Sequence, residues 1–294
     1  MKKLGVLGDI HSCAPALRAC VARLLAEGAE GFLLLGDYLT NCPDPEETMD
    51  QLRDLMARYP CYALRGNREE YLLRWQSGEE KGWTPSPKTG SLLYTATHLS
   101  EESWRWLETL PQTLRVEVAG CPPLRIAHGS PQVTRGFLYP NYQACREALE
   151  KLDTGWLVCG HTHRQGIFRW QGRTLINPGA VHWRNTACCA LLTGTADGWT
   201  AELLTLPYDT GAYARQVLQS GMAPMAPVWT QVVAEELRTG GDLLEPWIAG
   251  SIAGVKGKGL TDAREVFGCW YRQAEELGVP LPPLEEMLAA CLST

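Results

Sequence analysis

Seven residues of this chain have the types and the spacing of a hydrolytic metal centre: Asp9, His11, Asp37, Asn67, His128, His161 and His163. Asp37 closes the apolar run Gly31-Phe32-Leu33-Leu34-Leu35-Gly36. A short unbroken run stopped by Gly and a carboxylate predicts a buried strand that delivers the Asp to an exposed edge, which is where α/β sheets keep their ligands. The pattern recurs where residues 3–7 run into Gly8-Asp9-Ile10-His11, at Ile126-Ala127-His128-Gly129, and where residues 156–159 run into Gly160-His161-Thr162-His163. Asp and His together, with no thiolate at these strand ends, suit a divalent ion of Mn, Fe, Zn or Ni type rather than Cys-rich structural zinc. Taken singly, each of these residues reads better as a capping Asp or a satisfied buried His. Their recurrence at four strand ends argues for function.

Asp9, Asp37 and Asn67 add three oxygen donors to four imidazoles, enough for two metals with one shared carboxylate. Such a pair lowers the pKa of a bridging water to near neutrality, polarises a phosphoryl oxygen and clamps attacking and leaving oxygens at a metal separation of about 3.5–4 Å. Phosphoryl transfer needs this kind of charge neutralisation.

The elements that must position these side chains are legible in the periodicity. Residues 14–27 alternate apolar and polar positions at helical spacing and close at Gly28. Residues 46–59 repeat the scheme with acidic residues in the first turn, where a helix dipole favours them. Residues 61–64 predict a third strand that runs into Arg65-Gly66-Asn67-Arg68-Glu69. Residues 70–110 turn helical and Trp-rich, with a break at 83–90. Their Trp residues read as core or lid rather than base-stacking platforms, because no basic residues interleave with them. Residues 114–127 predict two strands and 142–151 a helix. Residues 166–206 predict short strands separated by Gly turns, forming a second, partly antiparallel sheet. Beyond Pro207 helices follow at 210–220, 228–238, 242–252 and 262–277, with a Gly- and Lys-rich break at 254–259.

The chain has 294 residues, of which 45% are apolar and 20% charged, the composition of a globular protein with a sizeable core. A net charge of -6 argues against a broad phosphate-tracking surface and leaves small anionic substrates open. Eleven Cys without any C-x-x-C pair read as reduced, mostly buried thiols. The apolar stretch after Met1-Lys2-Lys3 is too short for a signal peptide, and no run is long enough to span a bilayer, so the expected location is the cytoplasm.

Taken in order, the blocks Gly8-Asp9-Ile10-His11, Gly36-Asp37, Gly66-Asn67, His128-Gly129 and Gly160-His161-Thr162-His163 resemble those of the calcineurin-like metallophosphoesterases. Asn177-Pro178-Gly179-Ala180-Val181 resembles a further block of their small bacterial phosphodiesterase branch, the YfcE-like group. The resemblance spans residues 3 to about 206 and implies an α/β fold, a four-layer αββα sandwich with the metal centre at its strand ends. It implies that Asp9, His11, Asp37 and His163 hold one divalent ion, that Asp37, Asn67, His128 and His161 hold the other, and that a metal-bound hydroxide is the nucleophile. Many members carry a His directly after the Asn, assigned to protonating the leaving group; here the residue is Arg68, which is expected to bind substrate instead. Asn41, in the loop 38–45, is the second expected substrate contact, with Asp37, Asn67 and Arg68 as the catalytic set.

The expected activity is hydrolysis of phosphoesters, diesters ahead of monoesters, with substrate choice set by the loops 38–45, 76–92 and 131–142. A phosphomonoesterase or phosphatase would use the same site, and a nuclease is disfavoured by the acidic balance. A non-catalytic scaffold on this fold is disfavoured because all seven ligand positions are filled. Residues 1–206 are expected to form the metallophosphoesterase domain. Residues 207–294 are expected to form a helical extension that packs over the sandwich or mediates self-association, so a homo-oligomer is compatible with the sequence. The expected partner is a small phosphorylated molecule, with no membrane involved.

Overall fold

The computed structural model describes residues 1–139 and 142–292; Pro140 and Asn141, within the predicted specificity loop 131–142, lie outside the described residues. The chain forms two compact units. The first comprises Met1–Leu39, Asp44–Glu80 and Leu99–Tyr208, and the second Thr40–Pro43, Lys81–His98 and Asp209–Thr294.

The strands are β1 (Lys2–Leu7), β2 (Gly31–Leu34), β3 (Cys61–Ala63), β4 (Thr113–Val116), β5 (Leu124–Ala127), β6 (Trp156–Cys159), β7 (Gly166–Trp170), β8 (Arg173–Asn177), β9 (Ala187–Thr195) and β10 (Gly198–Leu206). The helices are α1 (Ala14–Ala26), α2 (Pro45–Arg58), α3 (Asn67–Gln76), α4 (Gly90–Thr97), α5 (Glu101–Thr109), α6 (Gln143–Glu150), α7 (Thr210–Gln219), α8 (Met222–Met225), α9 (Pro227–Thr239), α10 (Leu244–Lys258), α11 (Ala263–Glu276) and α12 (Leu284–Leu292). Sequence periodicity anticipates most of them to within a few residues.

The first unit holds two five-stranded sheets, ordered β10-β9-β1-β2-β3 and β4-β5-β6-β8-β7. β1, β2 and β3 run parallel in the first, as do β5, β6 and β8 in the second. Their inner faces meet in one apolar core, with Leu4, Val6 and Leu33 from one sheet against Leu124, Ile126, Val158 and Ile176 from the other. α1 packs on β1 and β9. On the opposite side Cys145, Ala148 and Leu149 of α6 bury Leu157 and Leu175. The result is the four-layer αββα sandwich, in which β2 is buried along its whole length, as its unbroken apolar run requires, while β3 at the sheet edge is half-buried.

Residues 166–206 do not form one sheet of their own. β7 and β8 extend the second sheet, whereas the β9–β10 hairpin joins the first, β9 pairing antiparallel to β1 with Leu4 opposite Leu192. Local alternation could not separate the two, because partner choice is set by which edge lies open, here that of β1.

The second unit is helical among its described residues. The predicted break at 254–259 is absent: α10 continues to Lys258 and ends at the left-handed Gly259. Gly250 and Gly254 lie against Gln273 and Cys269, so these glycines serve helix contact instead of ending the helix. Trp247 is fully buried, with Trp229 and Trp270 at ring-centroid distances of 5.6 and 4.9 Å. Its indole N–H donates to Trp270 O at 2.9 Å, the polar partner a buried Trp needs. Among the described residues, which include all eleven Cys, no disulfide forms; eight of the thiols are buried and three partly buried. Among the described residues no helix is long and apolar enough to cross a membrane.

Candidate metal centre

Six of the seven predicted ligands stand in loops directly after strands of the two sheets: Asp9 and His11 after β1, Asp37 after β2, His128 after β5, and His161 and His163 after β6. Asn67 opens α3, beyond β3. Backbone hydrogen bonds stitch these loops together. Asp9 N–H donates to Gly36 O at 3.0 Å, and Ile10 and His11 N–H donate to Asp37 O at 2.8 and 3.0 Å. Gly160 N–H donates to His128 O at 2.7 Å, and His161 N–H reaches across to Asp9 Oδ2 at 3.0 Å.

Asp9, His11, Asp37, His161 and His163 all have positive φ, between 51° and 66°. Asp and His visit this left-handed region more readily than most side chains, though at a cost in backbone energy. The glycine before Asn67 is a matter of space, since a Cβ on Gly66 would sit 2.2 Å from Asp37 Oδ1.

Asp9, His11 and His163 bring ligand atoms within 4.8 Å of one another, and so do Asp37, His128 and His161. Asn67 joins the second group, its Oδ1 3.1 Å from His128 Nε2. His128 Nε2 lies 3.5 Å from Asp37 Oδ2 and 3.9 Å from Asp9 Oδ1, so the two groups adjoin.

The donor set fits cations. His128 Nδ1 lies 2.8 Å from Leu35 O. Donation of its N–H there would fix the tautomer in which Nε2, facing the Asn67 oxygen, is the ligating atom. His11 Nε2 and His163 Nε2 face each other at 3.1 Å. His161 Nε2 is shielded from solvent and has no hydrogen-bond partner among the described residues. Lone pairs converging in this way call for positive charge between them.

The electrostatics point the same way. Burial disfavours a charged His128, but the Asp37 carboxylate, then Asp9, outweigh it and raise the imidazole pKa to about 10. Burial, then the charge on His128, pushes His161 down to about 4. Burial, then His163, holds His11 well below its ordinary value. The two buried carboxylates favour a proton on His128, which a bound cation would replace, whereas burial and the neighbouring imidazoles keep His11 and His161 neutral, the state in which imidazole ligates.

Arg68 follows Asn67 in α3; its N–H donates to Asp37 Oδ1 at 2.8 Å, and its side-chain Nε lies 3.9 Å from Asp37 Oδ2 without a hydrogen bond. Asn41 belongs to the second unit. It is buried there at φ 67°, and its carbonyl accepts the Trp229 indole N–H at 2.9 Å.

Two supporting residues carry no signal that spacing reveals. Glu69 is buried and accepts backbone N–H bonds from Asp37 and Gly66 through Oε2, both at 2.8 Å, and from Tyr38 through Oε1 at 2.9 Å. In the sequence it is one more acid in a helix first turn. Burial, then the Asp37 charge, raises its pKa to about 7 against the pull of the Gly66 N–H. Asn177 lies within the recognised Asn-Pro-Gly block without an assigned task. Its amide donates to Gly160 O and Thr162 Oγ1, each at 3.0 Å, and its Oδ1 accepts Gly179 N–H at 2.9 Å, fixing the loop that carries His161 and His163.

An αββα sandwich with Asp and His clustered at its parallel strand ends is the arrangement of the metallophosphoesterases. The family model of the calcineurin-like phosphoesterase superfamily domain matches residues 1–197, and the chain belongs to that superfamily, as a phosphoric ester hydrolase. The family implies divalent metal ions.

Relatives include an uncharacterized protein of Methanocaldococcus jannaschii, 23% identical over 61% of this chain and 70% of that protein. Another is a UDP-2,3-diacylglucosamine hydrolase of Escherichia coli, 26% identical over 55% of this chain and 82% of that enzyme. Among solved structures, a hypothetical protein from Pyrococcus horikoshii superposes with a TM-score of 0.67 at 18% identity, covering 78% of this chain and 98% of its own. A metallophosphoesterase from Sphaerobacter thermophilus superposes with 0.64 at 20% identity, covering 82% and 99%. At these identities the two structures establish the fold.

Proposed function

We propose that this chain is a cytoplasmic hydrolase of small phosphoesters, with diesters preferred to monoesters, working at a dinuclear divalent-metal site in residues 1–206. Residues 207–294 would be its helical extension. What supports the reading is the adjacency of two ligand groups, Asp9/His11/His163 and Asp37/His128/His161, in neighbouring strand-end loops. Asp37 would be the shared carboxylate, and Asn67 would complete the group that contains His128. Divalent ions bound there would supply a water activated near neutral pH and Lewis acidity at the phosphoryl oxygens.

The chain's own residues would do the rest. The Leu35 carbonyl holds the His128 ring in its ligating tautomer. Glu69 fixes the Asp37 backbone and hence the direction of its carboxylate. Arg68 would hold a nonbridging phosphoryl oxygen with a charge that stays protonated, and Asn41 is retained as a substrate contact on sequence grounds.

The test is hydrolysis of an activated aryl phosphodiester by native protein, by chelator-stripped protein and by Asp37→Asn. Turnover should need divalent metal and return when it is restored. Asp37→Asn should lose turnover with unchanged circular dichroism, because the amide removes a negative charge from a site that must hold two dications. Full turnover in stripped protein would overturn the proposal.

A further inference from the structure

Resting on the phosphoesterase reading, we infer that the loop before α6 carries a stacking platform for a planar base, so that the preferred substrates are phosphoesters of nucleosides. Phe137 is 55% exposed. Its ring lies 4.5 Å, centroid to centroid, from His161, one of the proposed ligands. Tyr139 stacks with Phe137, nearly parallel at 6° with centroids 5.9 Å apart. The Arg164 guanidinium lies 5.9 Å from the Tyr139 ring centre, placing a cation beside the aromatic surface.

The loop is anchored on both sides of Phe137. Thr134 and Leu138 are buried, and Thr134 Oγ1 donates to Glu70 Oε2 at 2.7 Å. Arg135 stacks over Tyr71 at 4.5 Å. Ser130 and Val133 hydrogen-bond each other through Ser130 N–H to Val133 O at 3.0 Å and Val133 N–H to Ser130 Oγ at 3.1 Å. A loop fixed this firmly still presents its phenyl ring to solvent beside a strand-end histidine.

A phosphate at the metal centre would carry its ester groups beside Phe137, whose ring adjoins His161, and a nucleoside base, one pentose beyond its phosphate, is of a length to meet the Phe137 and Tyr139 rings. Aromatic faces accept bases of any sequence, with Arg adding a cation–π contribution. The base-bearing half of a nucleotide ester has this chemistry, flat on one side and anionic a few bonds away. An alkyl phosphoester has only the anion.

The experiment measures binding of thymidine 5′-monophosphate and of methyl phosphate to metal-loaded protein by calorimetry, alongside hydrolysis of methyl 4-nitrophenyl phosphate. Native protein should bind the nucleotide about 5- to 100-fold more tightly than methyl phosphate, the range of one base–aromatic stack. Phe137→Ala should collapse that ratio towards one, and Phe137→Tyr should retain it. Equal binding of the two ligands by native protein, or an undiminished ratio in a folded Phe137→Ala, overturns the platform while hydrolysis of the methyl diester leaves the phosphoesterase reading standing. Absence of any hydrolysis would count against that reading alone, because the binding ratio is read without turnover.

Discussion

Glu69 and Asp37 are joined by a hydrogen bond in which the buried carboxylate accepts the backbone N–H of the proposed bridging ligand at 2.8 Å. The same carboxylate also takes the N–H of Gly66 and Tyr38, so it ties the turn after β2 to the start of α3. Glu69→Ala leaves three buried donors unmatched, each orphan costing about 1–3 kcal/mol. We predict a loss of several kcal/mol in urea unfolding, together with weaker metal retention. Glu69→Gln, which keeps one acceptor oxygen, should fall between. An alanine variant with native metal content and native midpoint would show that Asp37 needs no such tether.

Arg68 sets the second prediction. Its guanidinium stays protonated at working pH and cannot give a proton to a leaving oxygen. General-acid assistance supplies roughly 10²–10⁴-fold, so turnover should depend steeply on leaving-group pKa and favour aryl over alkyl esters. Arg68→Ala should lower rate and affinity for all leaving groups without stripping metal, and Arg68→His should flatten the dependence if its imidazole reaches the leaving oxygen. A shallow dependence in native protein would mean that another group donates the proton.

The helical unit yields a stability prediction. Trp247 is completely buried between Trp229 and Trp270. Trp247→Ala should cost about 3–5 kcal/mol by cavity formation. Removal of residues 241–294, which takes Trp247 and Trp270 together, should expose Trp229 and reduce solubility. Unchanged solubility and fluorescence after truncation would contradict this.

Glu46 gives the pH prediction. Burial opposes its charge, but the Ser100 N–H at 3.0 Å, Arg53 at 2.7 Å and the Ser100 and Ser103 hydroxyls overcome that and lower its pKa. A carboxyl depressed in the folded state contributes stability above its unfolded value, near 4.5, and loses it as pH falls through the folded value. Glu46→Gln should therefore be less stable than native protein at pH 7, by about 1–2 kcal/mol for hydrogen bonds to a charged group. The gap should close in acid; an equal gap at pH 7 and pH 3 would refute the assignment.

Four of the seven proposed ligands, Asp9, Asp37, His128 and His161, were legible because they stand within two residues of the end of an apolar run whose continuity already declares a buried strand, and the structure brings all seven together. Glu69 was not legible, since a first-turn acid looks the same in the sequence whether it faces solvent or three backbone amides. The continuation of α10 through Gly254 was illegible for a related reason: glycine breaks an isolated helix, but its missing side chain is what lets Cys269 approach. The sheet partner of β9 depended on which edge was vacant, a property of the folded whole. Asn41 stands apart, because nothing local in its sequence foretells its backbone bond to Trp229, distant in the chain.

The left-handed backbone at Asp9, His11, Asp37, His161 and His163 restricts how this site can decay. Asparagine is at home in that conformation, whereas β-branched residues are genuine outliers there and most others pay for it. The cheapest single mutational step away from activity is therefore Asp to Asn, which removes a charge and leaves the loop's shape intact. A descendant taking that step at Asp37 would inherit a sound sandwich with a weakened hold on metal, a protein free to be recruited for its surface. For the experimenter the same asymmetry makes Asp37→Asn a measurement of charge, whereas Asp37→Val would mix lost charge with a broken turn.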